Sequence, residues 1–192
     1  MAAIPSLPKG ISVEWKGEFE NQVRATAQLQ KVIPISLAII FVLLFTAFGN
    51  VRDAALIFLN VPFGLMGGIL ALHLTHTHFS IAAGIGFIGL FGVSVQAGVI
   101  LISIFKKNLR EGQPLREAVF NGTLRRVRPV FMTALMAILG LMPAALSTGI
   151  GSETQKPLAI VVIGGLFTDM ILALHVFPLI VEWVYKRYRH IT

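Results

Sequence analysis

The sequence predicts an all-α membrane protein with five transmembrane helices. Of its 192 residues, 55% are hydrophobic and only 13% are charged, whereas a soluble domain has about 25% charged residues. The apolar residues form runs that reach the roughly 17–25 residues that a membrane span requires. The basic residues cluster between these runs, with seven of sixteen Lys and Arg in residues 106–129.

Composition and motifs exclude several functions. The net charge of +7 can indicate nucleic-acid binding, but the charges lie in loops beside apolar runs. Orientation in the bilayer explains them better, so we predict no nucleic-acid partner. The absence of Cys excludes disulfides and thiolate metal sites. Because motifs of hydrolases, metalloproteases and ATP-binding loops are absent, we predict that the chain is not an enzyme and needs no cofactor.

The elements follow one another along the whole chain. Residues 1–31 are polar and mixed, and residues 18–31 can form a helix that enters the first span. A basic connector, residues 106–129, joins the third span to the fourth, and residues 186–192 form a tail. The five predicted spans are 32–48, 54–72, 81–105, 130–146 and 157–185.

Small residues recur in the third span, which we expect at the centre of the bundle because they let helix backbones approach closely in lipid. The glycines expected to serve helix packing are Gly86, Gly89, Gly92, Gly98, Gly164 and Gly165. Prolines in or beside spans predict kinks at Pro34, Pro62, Pro143 and Pro178.

The connector has two interpretations. Leu109, Leu115, Val119 and Phe120 give it a partial apolar face. Residues 115–126 can therefore form an amphipathic helix along the cytoplasmic membrane surface. The alternative is a solvated basic loop, and the spacing favours the helix.

The distribution of basic residues orients the spans. The N-terminal residues and the loops 73–80 and 147–156 share one side and carry 5 Lys and Arg. The turn 49–53, the connector and the tail share the other side and carry 11. Cationic loops stay on the cytoplasmic side, so we predict a periplasmic or extracellular N-terminus and a cytoplasmic C-terminus.

Four polar residues in the spans are candidates for a proton or ion path: Asp169, Gln96, Asn60 and His175. Asp169 lies about halfway along the fifth span, where a charge costs at least a few kcal/mol unless it faces protein or water. The protonated acid is cheaper there, which suits a group that binds and releases protons. The alternative is a structural acid bonded to a neighbouring helix. His175 lies about 240° further around the helix, and it and the two amides can equally be interhelical hydrogen-bond partners.

A histidine cluster, His73, His76 and His78, lies between the second and third spans. Imidazole groups can bind a borderline cation such as zinc. The cluster lacks a nearby carboxylate and the spacing of a metal site, so the sequence favours an interfacial loop.

Four strings carry a family resemblance: residues 7–22 (LPKGISVEWKGEFENQ), 86–93 (GFIGLFGV), 126–134 (RVRPVFMTA) and 149–165 (GIGSETQKPLAIVVIGG). In this order, and over nearly the whole chain, they resemble the heavy-metal efflux branch of the RND transporters, the cobalt–zinc–cadmium type. The resemblance implies the last five of twelve spans, half of a twelve-helix bundle in the bacterial inner membrane. It also implies proton-driven export of Co²⁺, Zn²⁺, Cd²⁺ or Ni²⁺.

The resemblance further implies partners. Pumps of this family form a homotrimer with a periplasmic adaptor and an outer-membrane channel, within membrane lipid. Because alternating access needs two halves, we interpret the chain as a C-terminal piece that requires the missing N-terminal half of the pump.

The family's site residues carry over incompletely. In the copper/silver branch, a Glu in the tenth span and a Lys near the start of the eleventh relay protons, and the matching positions hold Gln96 and Val130. A Met of the copper/silver path matches Gln155. These differences favour the divalent-cation type. Asp169 and His175 stand where the family has small or apolar residues, so the resemblance gives them no role.

Two other functions stay open on sequence alone. One is a non-transporting membrane subunit or scaffold that docks other helices through its small-residue face. The other is a piece of a drug-efflux RND pump, which a resistance profile to metals and hydrophobic drugs would distinguish.

Overall fold

The computed structural model describes residues 18–149 and 151–189, and within these ranges it contains helices and no strands. Five segments are long and apolar enough to cross a membrane, and α2 and α3 together form one of them. The predicted all-α class with five spans is confirmed. The predicted segment 1–17 and the end of the tail, 190–192, lie outside the described residues. The helices are α1 (Glu18–Phe48), α2 (Val51–Phe58), α3 (Val61–Leu74), α4 (Ile81–Arg110), α5 (Leu115–Leu146) and α6 (Ser152–Arg189).

The predicted connector 106–129 is largely helical. α4 continues to Arg110 and α5 begins at Leu115, and Gly112 provides the positive φ of 85° that the intervening turn needs. The expected surface helix is therefore the first part of a single helix of span length. Its apolar side packs on α4, where the Asn108 side chain donates a hydrogen bond to the Ala118 carbonyl at 2.9 Å.

Only one of the four predicted kinks coincides with a break in a helix. Pro62 lies in the first turn of α3, directly after the break between α2 and α3. Since proline has no N–H, it cannot bond back to the preceding turn. Pro34, Pro143 and Pro178 each lie inside a continuous helix.

α4 is in contact with each of the other five described helices, as the small residues of the third span predicted. α3 and α6 approach most closely, because a Cβ on Gly164 would lie 2.7 Å from the Gly67 carbonyl oxygen. A Cβ added at Gly86, Gly98 or Gly165 would also lie close to atoms of a neighbouring helix. Gly89 and Gly92 differ from expectation: nothing in the described structure lies within 4 Å of a Cβ built there.

The apolar core consists of two clusters at different depths. The first cluster gathers around Ile57 of α2, Leu101 of α4 and Phe177 of α6. The second gathers around Val61 of α3, Leu90 of α4 and Leu166 of α6, with their neighbours. On each of these three chain segments a short stretch separates the two clusters, and each stretch contains a buried polar residue.

Candidate functional site

A cavity of about 440 Å³ lies between α4, α5 and α6. Two of the predicted path residues, Gln96 of α4 and Asp169 of α6, line it together. Arg126 and Thr133 contribute polar groups from α5, and Val130 lines the same wall. The structure therefore brings one acid, one amide and one cation to a single cavity.

Asp169 is buried at the middle of α6, with 4% of its surface exposed. Its Oδ1 has no hydrogen-bond partner among the described residues. The polar neighbour of the carboxyl is Ser94 of α4, whose own Oγ also lacks a partner. Ser94 was not predicted from the sequence, because a serine in a membrane helix commonly hydrogen-bonds to the backbone of its own helix, and its position in the sequence does not show whether it is buried.

Asn60 is fully buried at the break between α2 and α3, and both polar atoms of its side chain lack a partner. Asn60, Ser94 and Asp169 form what we call the polar layer. Each of these residues lies between the two apolar clusters along its own chain segment. Asn60 lies between Ile57 of the first cluster and Val61 of the second. Ser94 on α4 and Asp169 on α6 likewise lie between members of the two clusters. The α2–α3 break, α4 and α6 thus each place a polar side chain at the level where the apolar core is interrupted.

His175 lies apart from this layer. It is exposed and lines a separate groove of about 690 Å³ between α5 and α6, together with Glu182. Its Nδ1 is 2.9 Å from the Ile171 carbonyl oxygen. Because a carbonyl only accepts, Nδ1 carries the proton in this contact.

The three histidines at the α3–α4 connection do not form a metal site in the described structure. His73 lies in the last turn of α3, and His76 adopts a left-handed backbone with φ 51° in the following turn. Among the described residues, no three His, Asp or Glu side chains are placed to hold a metal ion.

An ion pair between a buried acid and a partly exposed lysine joins two helices, and a tyrosine adds a third; no local sequence pattern indicates this contact. Asp53 of α2 is 2% exposed, and its Oδ2 is 2.7 Å from Lys106 Nζ of α4. Its Oδ1 accepts a hydrogen bond of 2.6 Å from the Tyr185 hydroxyl of α6. Lys106 also lies over the Phe48 ring, 5.5 Å from its centroid. Asp53, Lys106 and Tyr185, which we call the ion clamp, line an open cavity of about 570 Å³ together with Arg52.

The chain is similar to known proteins over nearly its whole length. A model of the AcrB/AcrD/AcrF family matches residues 2–184. The cobalt-zinc-cadmium resistance protein CzcA of Cupriavidus metallidurans is 45% identical over 189 residues, which cover 97% of this chain and 18% of that protein. Protein HelA of Legionella pneumophila is 51% identical over 174 residues, or 90% of this chain and 16% of HelA. A crystal structure of a heavy metal efflux pump is similar with a TM-score of 0.79 and 44% identity, covering 95% of this chain and 18% of that one.

Proposed function

Because the chain belongs to the AcrB/AcrD/AcrF family, we propose that it supplies five spans of a proton-driven pump that exports divalent heavy-metal cations across the bacterial inner membrane. The observation that carries this proposal is the joint likeness, in sequence and in helix arrangement, to a heavy metal efflux pump. The substrates proposed for the whole pump are Co²⁺, Zn²⁺, Cd²⁺ and Ni²⁺.

Transport is proposed for the whole pump, because this chain spans only 18% of CzcA. Alternating access moves one half of a transporter against the other around a site between them. We propose that the chain works with an N-terminal half, in a homotrimer with a periplasmic adaptor and an outer-membrane channel.

The proposed orientation has a periplasmic N-terminus and a cytoplasmic C-terminus. The ion clamp joins residue 53, residue 106 and residue 185, so the turn 49–53, the connector and the start of the tail meet at one end of the bundle, and together these segments carry 11 Lys and Arg. A cationic end belongs on the cytoplasmic side.

The proposed proton path uses the cavity between α4, α5 and α6. Asp169 is the group that binds and releases the proton, and Gln96 lines the same cavity from α4. Asn60 contributes from the interior. His175 opens onto another groove, so we give it no part in the same step.

A chimera tests the function. The segment of the Cupriavidus metallidurans CzcA that matches this chain is replaced by the chain itself, and growth is measured in cobalt, zinc and cadmium. We expect the chimera to raise tolerance to these metals well above that of cells without a pump, and tolerance to hydrophobic drugs to stay at their level. A chimera that reaches the membrane and protects against drugs alone would contradict the metal assignment.

The role of Asp169 is tested in the same chimera. Asp169→Asn keeps the shape of the side chain but cannot exchange a proton, so we expect metal tolerance to fall to the level of cells without a pump. Glu111→Gln is the matched control, since Glu111 lies in the exposed turn after α4 and is expected to leave tolerance unchanged. Full tolerance with Asp169→Asn would remove Asp169 from the path.

A further inference from the structure

We infer that the polar layer of Asn60, Ser94 and Asp169 is a binding site for internal water. Asn60 and Ser94 act as positioning residues that hold the proton-bearing carboxyl of Asp169 in place. The use of this proton in transport rests on the proposed function, whereas the water site itself does not.

The first observation is the concentration of unsatisfied polar atoms. Among the described residues, five buried side-chain nitrogen or oxygen atoms lack a hydrogen-bond partner, and four of them belong to the polar layer. Each such atom costs about 1–3 kcal/mol if it stays unpaired. Buried polar atoms in stable proteins are satisfied by protein or by ordered water, and the described protein groups do not satisfy these four.

The chemistry of the four atoms identifies the ligand. Asn60 Nδ2 is a donor, Asn60 Oδ1 and Asp169 Oδ1 are acceptors, and Ser94 Oγ can act as either. A cation would satisfy the acceptors and repel the Nδ2–H group. Water both donates and accepts, and a buried water typically makes about three hydrogen bonds. The donor and acceptor set therefore fits water better than a bare metal ion.

The packing places these atoms within the reach of bridging water. Gly64 of α3 lies against Ser94, and Gly98 of α4 lies against Asn60. Residues 60 and 64, like residues 94 and 98, are four residues apart, which is an axial offset of about 6 Å. Three consecutive hydrogen bonds of about 2.8 Å, made through two waters, span such a distance. Two waters can thus join the level of Asn60 to the level of Ser94 and Asp169.

The layer also has a source of water. Asp169 belongs to the layer and at the same time lines the cavity of about 440 Å³. Gln96, Thr133 and the cation Arg126 line that cavity with it, and a polar cavity of this volume is large enough to hold water. Asp169 therefore lies at the boundary between the cavity and the inner polar layer.

Infrared spectroscopy of the full chain in lipid bilayers tests the site. The carboxylic C=O band of Asp169 is assigned by its loss in Asp169→Asn, or by its displacement in Asp169→Glu if the first variant does not fold. We expect Ser94→Ala to shift this band to higher wavenumber, since a carboxyl with fewer hydrogen bonds has a stiffer C=O bond. Ser103→Ala is the matched control on the same helix, because Ser103 Oγ already donates to the Val99 carbonyl at 2.7 Å. A band that is absent, or that is identical in Ser94→Ala, overturns the inference.

Thermal unfolding distinguishes a hydrated layer from a dry one. If water satisfies Ser94 Oγ, Ser94→Ala loses those bonds and lowers the unfolding temperature relative to Ser103→Ala. If the layer is dry, Ser94→Ala removes an unsatisfied group and raises that temperature, which contradicts the proposal. Neither readout involves a metal, so a failed chimera with an intact Ser94 effect would refute the transport function and leave the water site standing.

Discussion

Two buried carboxylates are held in opposite ways in this molecule. Asp53 has a partner for each oxygen, a cation on one and a hydroxyl on the other. Asp169 is similarly buried, yet its Oδ1 has no partner among the described residues. A paired carboxylate fixes helices relative to one another, whereas an unpaired one is suited to exchange a proton. Under the proposed function, Asp53 therefore holds helices together and Asp169 exchanges the proton.

Removing the cation of the ion clamp should destabilise the protein. Lys106→Met leaves the buried Asp53 carboxylate without its cation. Because Lys106 is 28% exposed, we expect a loss of about 2–3 kcal/mol in the free energy of unfolding, below the roughly 3–5 kcal/mol of a fully buried pair. Tyr185→Phe removes only one charge-assisted hydrogen bond and should cost about 1.5–3 kcal/mol. Unfolding by SDS in mixed micelles measures both.

The adjacent lysine provides the control for the ion clamp. Lys107 is exposed and lies 3.9 Å from Glu111 in a pair along the helix surface. Such a pair contributes about 0.2–1 kcal/mol, so Lys107→Met should scarcely change the unfolding midpoint. Equal losses for Lys106→Met and Lys107→Met would show that the clamp does not stabilise the fold.

At this scale, the sequence could identify only residues that are unusual by themselves. Asp169 was identified because an acid is rare at the centre of a span. Asp53 was not, because its partners lie 53 and 132 positions away along the chain, and no local spacing indicates such a pairing. Ser94 was missed because its significance lies in its neighbours on α3 and α6.

At the scale of helices, close packing depends on a few glycines. At Gly164 an added Cβ would meet the Gly67 carbonyl oxygen at 2.7 Å, and backbone atoms cannot rotate away as a side chain can. Gly89 lies in open space. Both glycines are in helices, so the two positions differ in packing and not in backbone conformation.

Alanine substitutions should separate these two positions. Gly164→Ala forces α3 and α6 apart, and we expect a loss of about 1–3 kcal/mol in the free energy of unfolding. Gly89→Ala should be neutral or stabilising by up to about 1 kcal/mol, because alanine is the better helix former. The same SDS titration measures the effect, and a Gly164→Ala variant as stable as the parent chain would refute the close α3–α6 contact.

Helix number and type were predictable, because apolar run length determines them, but helix ends were not. Residues 106–110 and 115–129 carry charges, which marked them as a connector, yet they continue α4 and α5. Their apolar residues pack against a neighbouring helix, and sequence periodicity does not distinguish that contact from contact with lipid. The kinks at Pro34, Pro143 and Pro178 stay predictions, because each proline lies inside a continuous helix and a bend does not interrupt a helix.

At the scale of the whole molecule, the helices are covered unequally. In the most apolar 18-residue stretch of α1 and of α5, only 6% of the residues are buried within the chain, compared with 44% in the corresponding stretches of α4 and α6. Single surface apolar residues need no explanation, but whole helix faces of this kind require lipid or further helices. This matches a chain that packs around α4 and α6 and meets other spans or lipid through α1 and α5.

The orientation of the bundle is a separate prediction. Alkaline phosphatase is active only outside the cytoplasm, so a fusion after Gly112 should be inactive and a fusion after Gly149 should be active. The physical reason is the excess of Lys and Arg on the side of Gly112, 11 against 5. The reverse pattern of activity would invert the proposed topology.

The most direct test of metal export is proton movement driven by metal in proteoliposomes. The CzcA chimera that carries this chain is reconstituted with a pH-sensitive dye inside the vesicles, and Zn²⁺ is added outside. We predict a Zn²⁺-dependent change in internal pH, because protons move across the membrane in the direction opposite to the metal. The size of the change should be comparable to that of the parent CzcA. An assembled chimera that gives no more proton movement than protein-free vesicles, while CzcA itself responds, would contradict the proposal that this chain forms part of a proton-coupled metal pump.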